Sequence, residues 1–257
     1  MIPDAAITHW SRVAPWPSRD QVEQDLVLSR IVCEIANHPL LGEELAFRGG
    51  TCLHKLHLAR PLRYSEDLDY VRATHGPIGP VLDALRDIAA AVGMAPVTDV
   101  GTIPKALLRS AFESGAGRLQ VKIEINTHET APARPHVRLP WEVVSPWWSG
   151  RAEVLTFDPA ELVATKLRAL YQRRKGRDLF DLWLALTAMD LDPDDILECL
   201  GPYRPDGYTT ATAVANLGGH VADPGFRGDL RDLVAEHTGF DVDDAARLVA
   251  TELLHRL

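Results

Sequence analysis

The chain has 257 residues, of which 46% are hydrophobic and 25% are charged, and its formal net charge at pH 7 is -9. These values are ordinary for a globular chain of one large domain or two small ones. They disfavour a uniformly basic nucleic-acid surface, although a local basic patch beside acidic surroundings is compatible with them.

The first 90 residues predict alternating helices and short strands. Residues 1–17 are rich in proline and tryptophan, lack periodicity and predict an extended arm. Ser18 predicts the N-cap of a helix that runs to about Asn37. A strand at 45–47 ends at two glycines, a helix follows at 52–58, and a second strand is expected at about 68–72. An amphipathic pattern then predicts a helix over 81–92.

The middle of the chain predicts strands, and the remainder predicts helices. Alternation is clearest at 119–126, where Leu119, Val121, Ile123 and Ile125 interleave with polar residues. A turn at 113–117 joins this strand to another candidate at 105–112, and further strands are expected at 136–139 and 152–156. Helical character runs from residue 158 to the end. The sequence therefore predicts an α/β (α+β) fold, with a small mixed sheet and its helices over 1–150 and a helical C-terminal domain over 151–257.

Two glycines and two carboxylates form the first chemistry-bearing segment. Gly49 and Gly50, followed by Thr51, predict a turn whose backbone approaches a phosphate closely. Asp67 and Asp69 lie two apart, so in a strand they project from one face. Two adjacent carboxylates favour a divalent cation between them, and Mg²⁺ takes carboxylate and phosphate oxygens. Two aspartates at this spacing are by themselves more often a solvated strand end. The prediction therefore depends on their combination with the glycine turn.

Residues F-R-G-G-T at 47–51 and R-Y-S-E-D-L-D at 63–69 resemble the nucleotidyltransferase toxins of the AbiEii or MenT type. That family belongs to the polymerase β-like nucleotidyltransferase superfamily. The resemblance implies that residues 1–150 contain the nucleotidyltransferase core. It also implies a third acid on a later strand, for which Glu124 is the candidate metal ligand beside Asp67 and Asp69. By itself, a polar residue on one side of such a strand is more often part of a solvent-facing surface, so Glu124 depends on Asp67 and Asp69 for its role.

A second segment carries basic residues and two aspartates on adjacent helices. K-L-R-A-L at 166–170 and R-x-K-x-R-D-L-F-D-L-W at 173–183 are similar to the C-terminal motif of the same family. The resemblance implies that Lys166 contacts the triphosphate and that Asp181 orients Lys166 or acts as a general base. Asp178 is alternatively the ion-pair partner of a local arginine. Acids at a helix start and bases at a helix end also stabilise helices without any further role.

The resemblance implies a Mg²⁺-dependent transfer of NMP from an NTP, with Asp69, Lys166 and Asp181 as the catalytic residues. Gly49, Gly50, Thr51 and Lys166 are then the expected nucleotide-binding residues. It further implies an RNA acceptor, the tRNA 3′ end, a resulting block of translation, and a cognate antitoxin as partner. The alternatives are NMP transfer to a protein and a non-catalytic nucleotide-binding module. RNA contacts are expected from Arg173, Arg174, Lys175 and Arg177.

A cytoplasmic, membrane-free protein is expected from the remaining features. No apolar run approaches the roughly 20 residues that span a bilayer, and the first ten residues have no apolar signal-peptide core. Cys33, Cys52 and Cys199 are scattered and lack metal-ligand spacing, which is typical of buried thiols in a reducing compartment.

Overall fold

The computed structural model describes residues 2–115, 117–231, 233–234 and 238–257. They form two compact units, the first comprising Met1–Ala131 and His136–Thr156 and the second Pro132–Pro135 and Phe157–Leu257. The predicted α/β class is confirmed, since the first unit contains a seven-stranded mixed sheet and the second is helical. The domains 1–150 and 151–257 stay a prediction, because compactness alone does not show that a segment folds independently.

The N-terminal segment is a buried helix, so the prediction of an extended arm is wrong. Helix α1 spans Asp4–Trp10, and Ile7 and Trp10 are buried in it. The indole Nε1 groups of Trp10 and Trp16 both donate to the carboxylate of Asp25, at 2.9 and 3.1 Å. These tertiary contacts order a segment whose seven-residue helix is too short to be stable alone.

Helix α2 spans Arg19–Asn37, which confirms the helix predicted after Ser18. The backbone N–H of Ser18 donates to the side chain of Gln21 at 3.1 Å and so satisfies one group at the helix start. Val22 and Leu26 of the predicted apolar stripe are buried, as are most residues of the helix. α2 is therefore a central helix of the first unit rather than a surface one.

The remaining elements of the first unit follow in chain order, and most lie close to their predicted positions. They are α3 (Leu41–Glu44), β1 (Leu45–Arg48), α4 (Gly49–Cys52), a π-helical turn (Leu53–His57), β2 (Asp67–Arg72), α5 (Gly79–Ala91), β3 (Ala95–Asp99), β4 (Lys105–Ala111), β5 (Arg118–Asn126), β6 (Val137–Val144) and β7 (Ser149–Thr156).

The strands form one sheet in the order β3-β4-β5-β2-β1-β7-β6. β2 is central, antiparallel to β1 and parallel to β5. β3 was not predicted, because this edge strand is mostly exposed and lacks an alternating apolar pattern. β6 is longer than predicted, since it continues through Pro140 and Trp141 and pairs with β7 as a hairpin. The tryptophan-rich stretch is thus partly strand.

The second unit contains the helices α6 (Pro159–Gln172), α7 (Gly176–Ala188), α8 (Pro193–Cys199), α9 (Thr210–Val221), α10 (Pro224–Gly228) and α11 (Val242–Glu252), with short 3₁₀ turns at Gly201–Tyr203 and Leu254–Arg256. As predicted, Asp158 caps α6 by accepting a hydrogen bond from the backbone N–H of Ala160 at 2.9 Å. Gly176 begins α7, and a Cβ there would lie 2.3 Å from the carbonyl oxygen of Phe226. Only glycine allows this approach of the two backbones.

Glu161 is buried and holds a neighbouring segment in place, rather than only stabilising the start of α6. Its carboxylate is fully buried and accepts hydrogen bonds from the backbone N–H groups of Ala133 and Arg134, at 2.7 and 2.9 Å. The hydroxyl of Tyr203 donates to the same carboxylate. Glu161 therefore fixes Pro132–Pro135 to the second unit. Across the part of the chain that the structure describes, every helix is too short or too polar to cross a membrane.

Candidate functional site

The first candidate site is a group of charged side chains on one face of β2 and β5, here called the acidic face and defined by Asp67, Asp69, Lys122 and Glu124. Leu68, between the two aspartates, is fully buried, so the aspartates project from the opposite face as predicted. The parallel register places Asp67 beside Lys122 and Asp69 beside Glu124. Strand alternation and pairing therefore assemble four charges side by side.

Lys122 is the member of the acidic face whose role sequence reasoning missed. Its Nζ lies 3.0 Å from Asp67 Oδ2 and 3.3 Å from Glu124 Oε1. Burial lowers the pKa of Lys122, but hydrogen bonding and charge from Asp67 and Glu124 outweigh burial and leave the pKa above its usual value. A protonated lysine thus offsets part of the repulsion between the carboxylates. The available signal was its position two residues before Glu124.

Gly49 brings the backbone against the carboxylate of Asp69. Its φ is 83°, in the left-handed region. A Cβ at this position would lie 2.3 Å from Asp69 Oδ2 and 3.0 Å from Asp69 Cβ. Glycine is required here for both reasons. The predicted glycine turn is therefore real, although the helix begins at Gly49 itself rather than after Gly50.

Thr51 holds the start of β2 in place. Its hydroxyl donates to the carbonyl oxygen of Asp67 at 2.6 Å and lies 2.7 Å from Ser65 Oγ. The residue is 2% exposed, and Gly50 beside it is also buried. Phosphate contacts from Gly49, Gly50 and Thr51 stay a prediction.

A second candidate site lies within the helical unit, here called the buried lysine cluster and defined by Lys166, Arg173, Asp178 and Asp181. Lys166 Nζ lies 2.8 Å from Asp181 Oδ2 and 3.6 Å from Asp178 Oδ1. Both aspartate side chains are fully buried, and the Lys166 side chain is 8% exposed. α6 and α7 supply the lysine and the aspartates respectively. The predicted proximity of Lys166 and Asp181 is confirmed, whereas their catalytic roles stay a prediction.

Arg173 completes this cluster from the end of α6. Its Nη2 and Nε donate to the two oxygens of Asp178, at 2.7 and 3.2 Å. The alternative prediction, that Asp178 is the ion-pair partner of a local arginine, is confirmed. Two cations and two carboxylates thus balance one another in an environment where an uncompensated charge would be costly.

Comparison with known proteins decides the family. The model of the nucleotidyl transferase AbiEii toxin family, part of a type IV toxin–antitoxin system, matches residues 30–251. The chain belongs to this AbiEii family of nucleotidyltransferase toxins. The two sequence motifs that resembled the family both lie inside the matched range.

Solved structures give the same fold. MenT4, a nucleotidyltransferase toxin of Mycobacterium tuberculosis H37Rv, matches with a TM-score of 0.62 and 16% identity, over 98% of this chain and 90% of its own. JHP933 of Helicobacter pylori matches with a TM-score of 0.55 and 18% identity, over 93% of each chain. At these identities the likeness concerns the fold alone. The comparison with curated proteins gives no match.

A divalent cation on the acidic face of this AbiEii-family chain, held by Asp67, Asp69 and Glu124, stays a prediction. Within the described residues, no group of three or more histidine, cysteine, aspartate or glutamate side chains is arranged to hold a metal ion. Glu124, the expected third ligand, instead contacts Lys122. Asp67 and Asp69 remain side by side, and Mg²⁺ is often held by one or two carboxylates with substrate phosphates completing its shell.

The predicted RNA-binding residues of this AbiEii-family chain are largely paired with acids. Besides Arg173, Arg174 lies 3.2 Å from Asp223 and Lys175 lies 3.7 Å from Asp229. Both side chains are about half exposed or more, so they are accessible to a ligand. These acidic partners reduce the net positive charge of the segment. RNA binding by Arg173, Arg174, Lys175 and Arg177 stays a prediction.

Proposed function

We propose that this AbiEii-family toxin transfers NMP from an NTP to an RNA acceptor, the tRNA 3′ end, in the cytoplasm, and so blocks translation. The observation that carries the proposal is the acidic face, on which Asp67 and Asp69 stand side by side with the Gly49 backbone against Asp69. Such a face offers carboxylates for a cation and a glycine backbone for a phosphate at one point of the sheet.

Asp67 and Asp69 would hold Mg²⁺, which neutralises charge developing on phosphoryl oxygens in reactions of this class. Lys122 keeps Asp67 and Glu124 in position through its hydrogen bonds and lowers the repulsion within the acidic face. Gly49 and Gly50 would present backbone N–H groups to the triphosphate. Thr51 would act indirectly, since its hydroxyl fixes the strand that carries Asp67.

In the second unit, Lys166 would contact the triphosphate and Asp181 would orient it or accept a proton. The 2.8 Å contact between them supports the orienting role. A hydrogen bond of this kind holds an ammonium group in one direction. The family further suggests a cognate antitoxin as the regulating partner.

A protein acceptor is the second candidate, because most predicted RNA-binding cations have acidic partners and the chain carries a net charge of -9. Phosphate contacts supply much of nucleic-acid affinity. Because its acidic partners leave this segment only weakly positive, the charge of the segment supports an RNA acceptor less than the family resemblance does.

One labelling experiment tests these proposals together. The purified protein is incubated with Mg²⁺, total tRNA and each α-³²P-labelled NTP separately. Asp69→Asn and Asp83→Asn are run in parallel, since both remove one carboxylate charge from the first unit, but Asp69 lies on the acidic face and Asp83 is an exposed residue of α5. We expect label on tRNA from the wild type and from Asp83→Asn, and none from Asp69→Asn. Label on protein alone would replace the RNA acceptor. Equal labelling by both variants would contradict the assignment of the acidic face.

A further inference from the structure

A cavity of about 340 Å³ opens in the first unit, and the acidic face does not contribute to its lining. Its volume is at the lower end of the range that small-molecule sites occupy. Four parts of the chain meet there: the N-terminal segment, α2, the π-helical turn with the loop that follows, and β6. The residues that matter below are Trp10, Arg12, Asp25, Lys55, Arg60 and Trp141, and the site is called the Trp10–Lys55 cavity.

A buried ion pair forms one wall of the Trp10–Lys55 cavity. Lys55 Nζ lies 3.1 and 3.0 Å from the two oxygens of Asp25 and 2.9 Å from Ser29 Oγ. Both charged side chains are about 5% exposed. The indole of Trp10 donates to the same carboxylate, which fixes its position. Because every donor and acceptor in this wall is used, the wall is preorganised rather than collapsible.

The second indole is fixed from another side. Trp141 Nε1 donates to the carbonyl oxygen of Ser29 at 3.1 Å, and Lys55 Nζ lies 5.5 Å from the Trp141 ring centroid. Lys55 therefore holds both an aspartate and an indole in place. Large rigid side chains at a cavity wall provide apolar contact area with little loss of conformational entropy on binding.

The mouth of the cavity is positively charged. Besides the Lys55–Asp25 ion pair of the wall, its lining contains two further cations, Arg12 and Arg60. Arg12 and Arg60 are exposed, and among the residues that the structure describes neither has an acidic partner. Most arginines of this acidic chain are paired. Guanidinium groups without partners bind phosphate or carboxylate in a bidentate manner.

The same short segment links this cavity to the acidic face. α4 begins at Gly49, against Asp69, and continues directly into the π-helical turn that carries Lys55. Six residues of helix correspond to about 9 Å along its axis. π-Helical turns are rare in proteins, and those that occur are often found at functional sites. One continuous segment therefore connects the wall of the cavity to the backbone that contacts Asp69.

We propose that the Trp10–Lys55 cavity binds a nucleotide unit, with the phosphate on Arg12 and Arg60 and the base against Trp141 and Val13, which are the accessible apolar parts of the lining. A positively charged mouth next to indole rings is the combination that single-stranded nucleic acids use. The unit is either a free nucleotide or a nucleotide of the RNA acceptor close to its reactive end. The second source rests on the proposed function.

Binding is measured on the full chain by calorimetry in EDTA, without NTP or turnover, so that an inactive transferase does not affect the result. The probes are the four nucleoside monophosphates and a five-nucleotide single-stranded RNA. The test variant is Arg12→Ala/Arg60→Ala. The matched control is Arg109→Ala/Arg118→Ala, which removes two arginines of the same unit that do not line the cavity and have no acidic partner among the described residues. Asp69→Ala separates this site from the acidic face.

We expect saturable binding with Kd at or below about 1 mM for at least one monophosphate. The test variant should weaken it at least tenfold, while the control and Asp69→Ala stay within about twofold of the wild type. Tighter binding of the RNA than of every monophosphate identifies the acceptor as the source, and equal or weaker binding identifies a free nucleotide. Absence of saturable binding of both probes overturns the proposal, and so does equal weakening by the test and control variants.

Discussion

The acidic face and the buried lysine cluster contain similar groups in opposite environments. On the acidic face, the side chains of Asp67, Lys122 and Glu124 are between 30% and 40% exposed. In the buried lysine cluster, Asp178 and Asp181 are fully buried and the Lys166 side chain is 8% exposed. Exposed charges are available to a ligand at small cost, whereas buried charges depend on each other for stability. One set of charges is therefore suited to binding and the other to holding a geometry.

The largest expected effect is the loss of stability in Lys166→Met. This change removes the ammonium group that contacts two fully buried carboxylates, and breaking a buried pair costs about 3–5 kcal/mol. Lys122→Met, on the acidic face, should change the free energy of unfolding by about 0–1 kcal/mol. Urea denaturation followed by circular dichroism measures both. Equal losses would show that burial does not separate the two sites.

The next effect concerns the contact between Gly49 and Asp69. Gly49→Ala forces a Cβ onto the Asp69 carboxylate, and a displacement of about 1 Å costs on the order of 100-fold in transfer rate. Gly93→Ala is the matched control, because Gly93 has φ 75° but nothing within 4 Å of a Cβ. Both variants should lose roughly 1–2 kcal/mol of stability from backbone strain, and Gly49→Ala should lose more because its Cβ also meets Asp69. A similar fall in rate for both would assign the effect to strain instead of to the carboxylate.

A smaller effect is expected in the affinity of the acidic face for Mn²⁺. Lys122→Met removes a positive charge next to Asp67, so Mn²⁺ should bind more tightly, on the order of fivefold from roughly 1 kcal/mol per charge pair in water. Lys175→Met, in the helical unit, should leave the affinity unchanged. Calorimetry without nucleotide measures both variants. Weaker binding after Lys122→Met would show that the lysine organises the carboxylates more than it competes with the cation.

The smallest effect concerns the rate at which the buried thiols are alkylated. Burial raises the pKa of Cys33 to about 12 and that of Cys199 to about 11, with neighbouring carboxylates adding to the increase for Cys33. At pH 8, roughly one part in ten thousand of Cys33 is thiolate. We expect iodoacetamide to modify the folded chain slowly and the urea-unfolded chain quickly, as followed by mass spectrometry. Rapid modification of the folded chain would contradict the buried placement.

The parts predicted well from sequence are those where local pattern and tertiary burial agree. Alternation alone located β5 and the side of β2 on which Asp67 and Asp69 lie. The family motif, rather than periodicity, suggested that Lys166 and Asp181 belong together. α2 could be placed from its cap and its apolar stripe, since both are local signals.

The missed parts depend on contacts between distant residues. α1 is ordered by Asp25, which lies 15 residues from Trp10, and no local pattern reports that hydrogen bond. Lys122 becomes informative only when the register of β2 and β5 is known. Gly176 is the first residue of α7, and its approach to the Phe226 carbonyl, which no local pattern reports, explains why this position is glycine.

The segment Pro132–Pro135, here called the strap, is held by Glu161 and belongs to the second unit, although the chain on both sides of it belongs to the first. The chain passes between the two units after Ala131, after Pro135 and after Thr156, so neither unit is a continuous stretch. The strap leaves the ribosome before the helix whose carboxylate receives it, and it waits unpaired until Glu161 is made. A fragment beginning at Phe157 lacks the two N–H donors of that carboxylate. The two units are therefore interleaved in the sequence, and no single cut of the chain separates them.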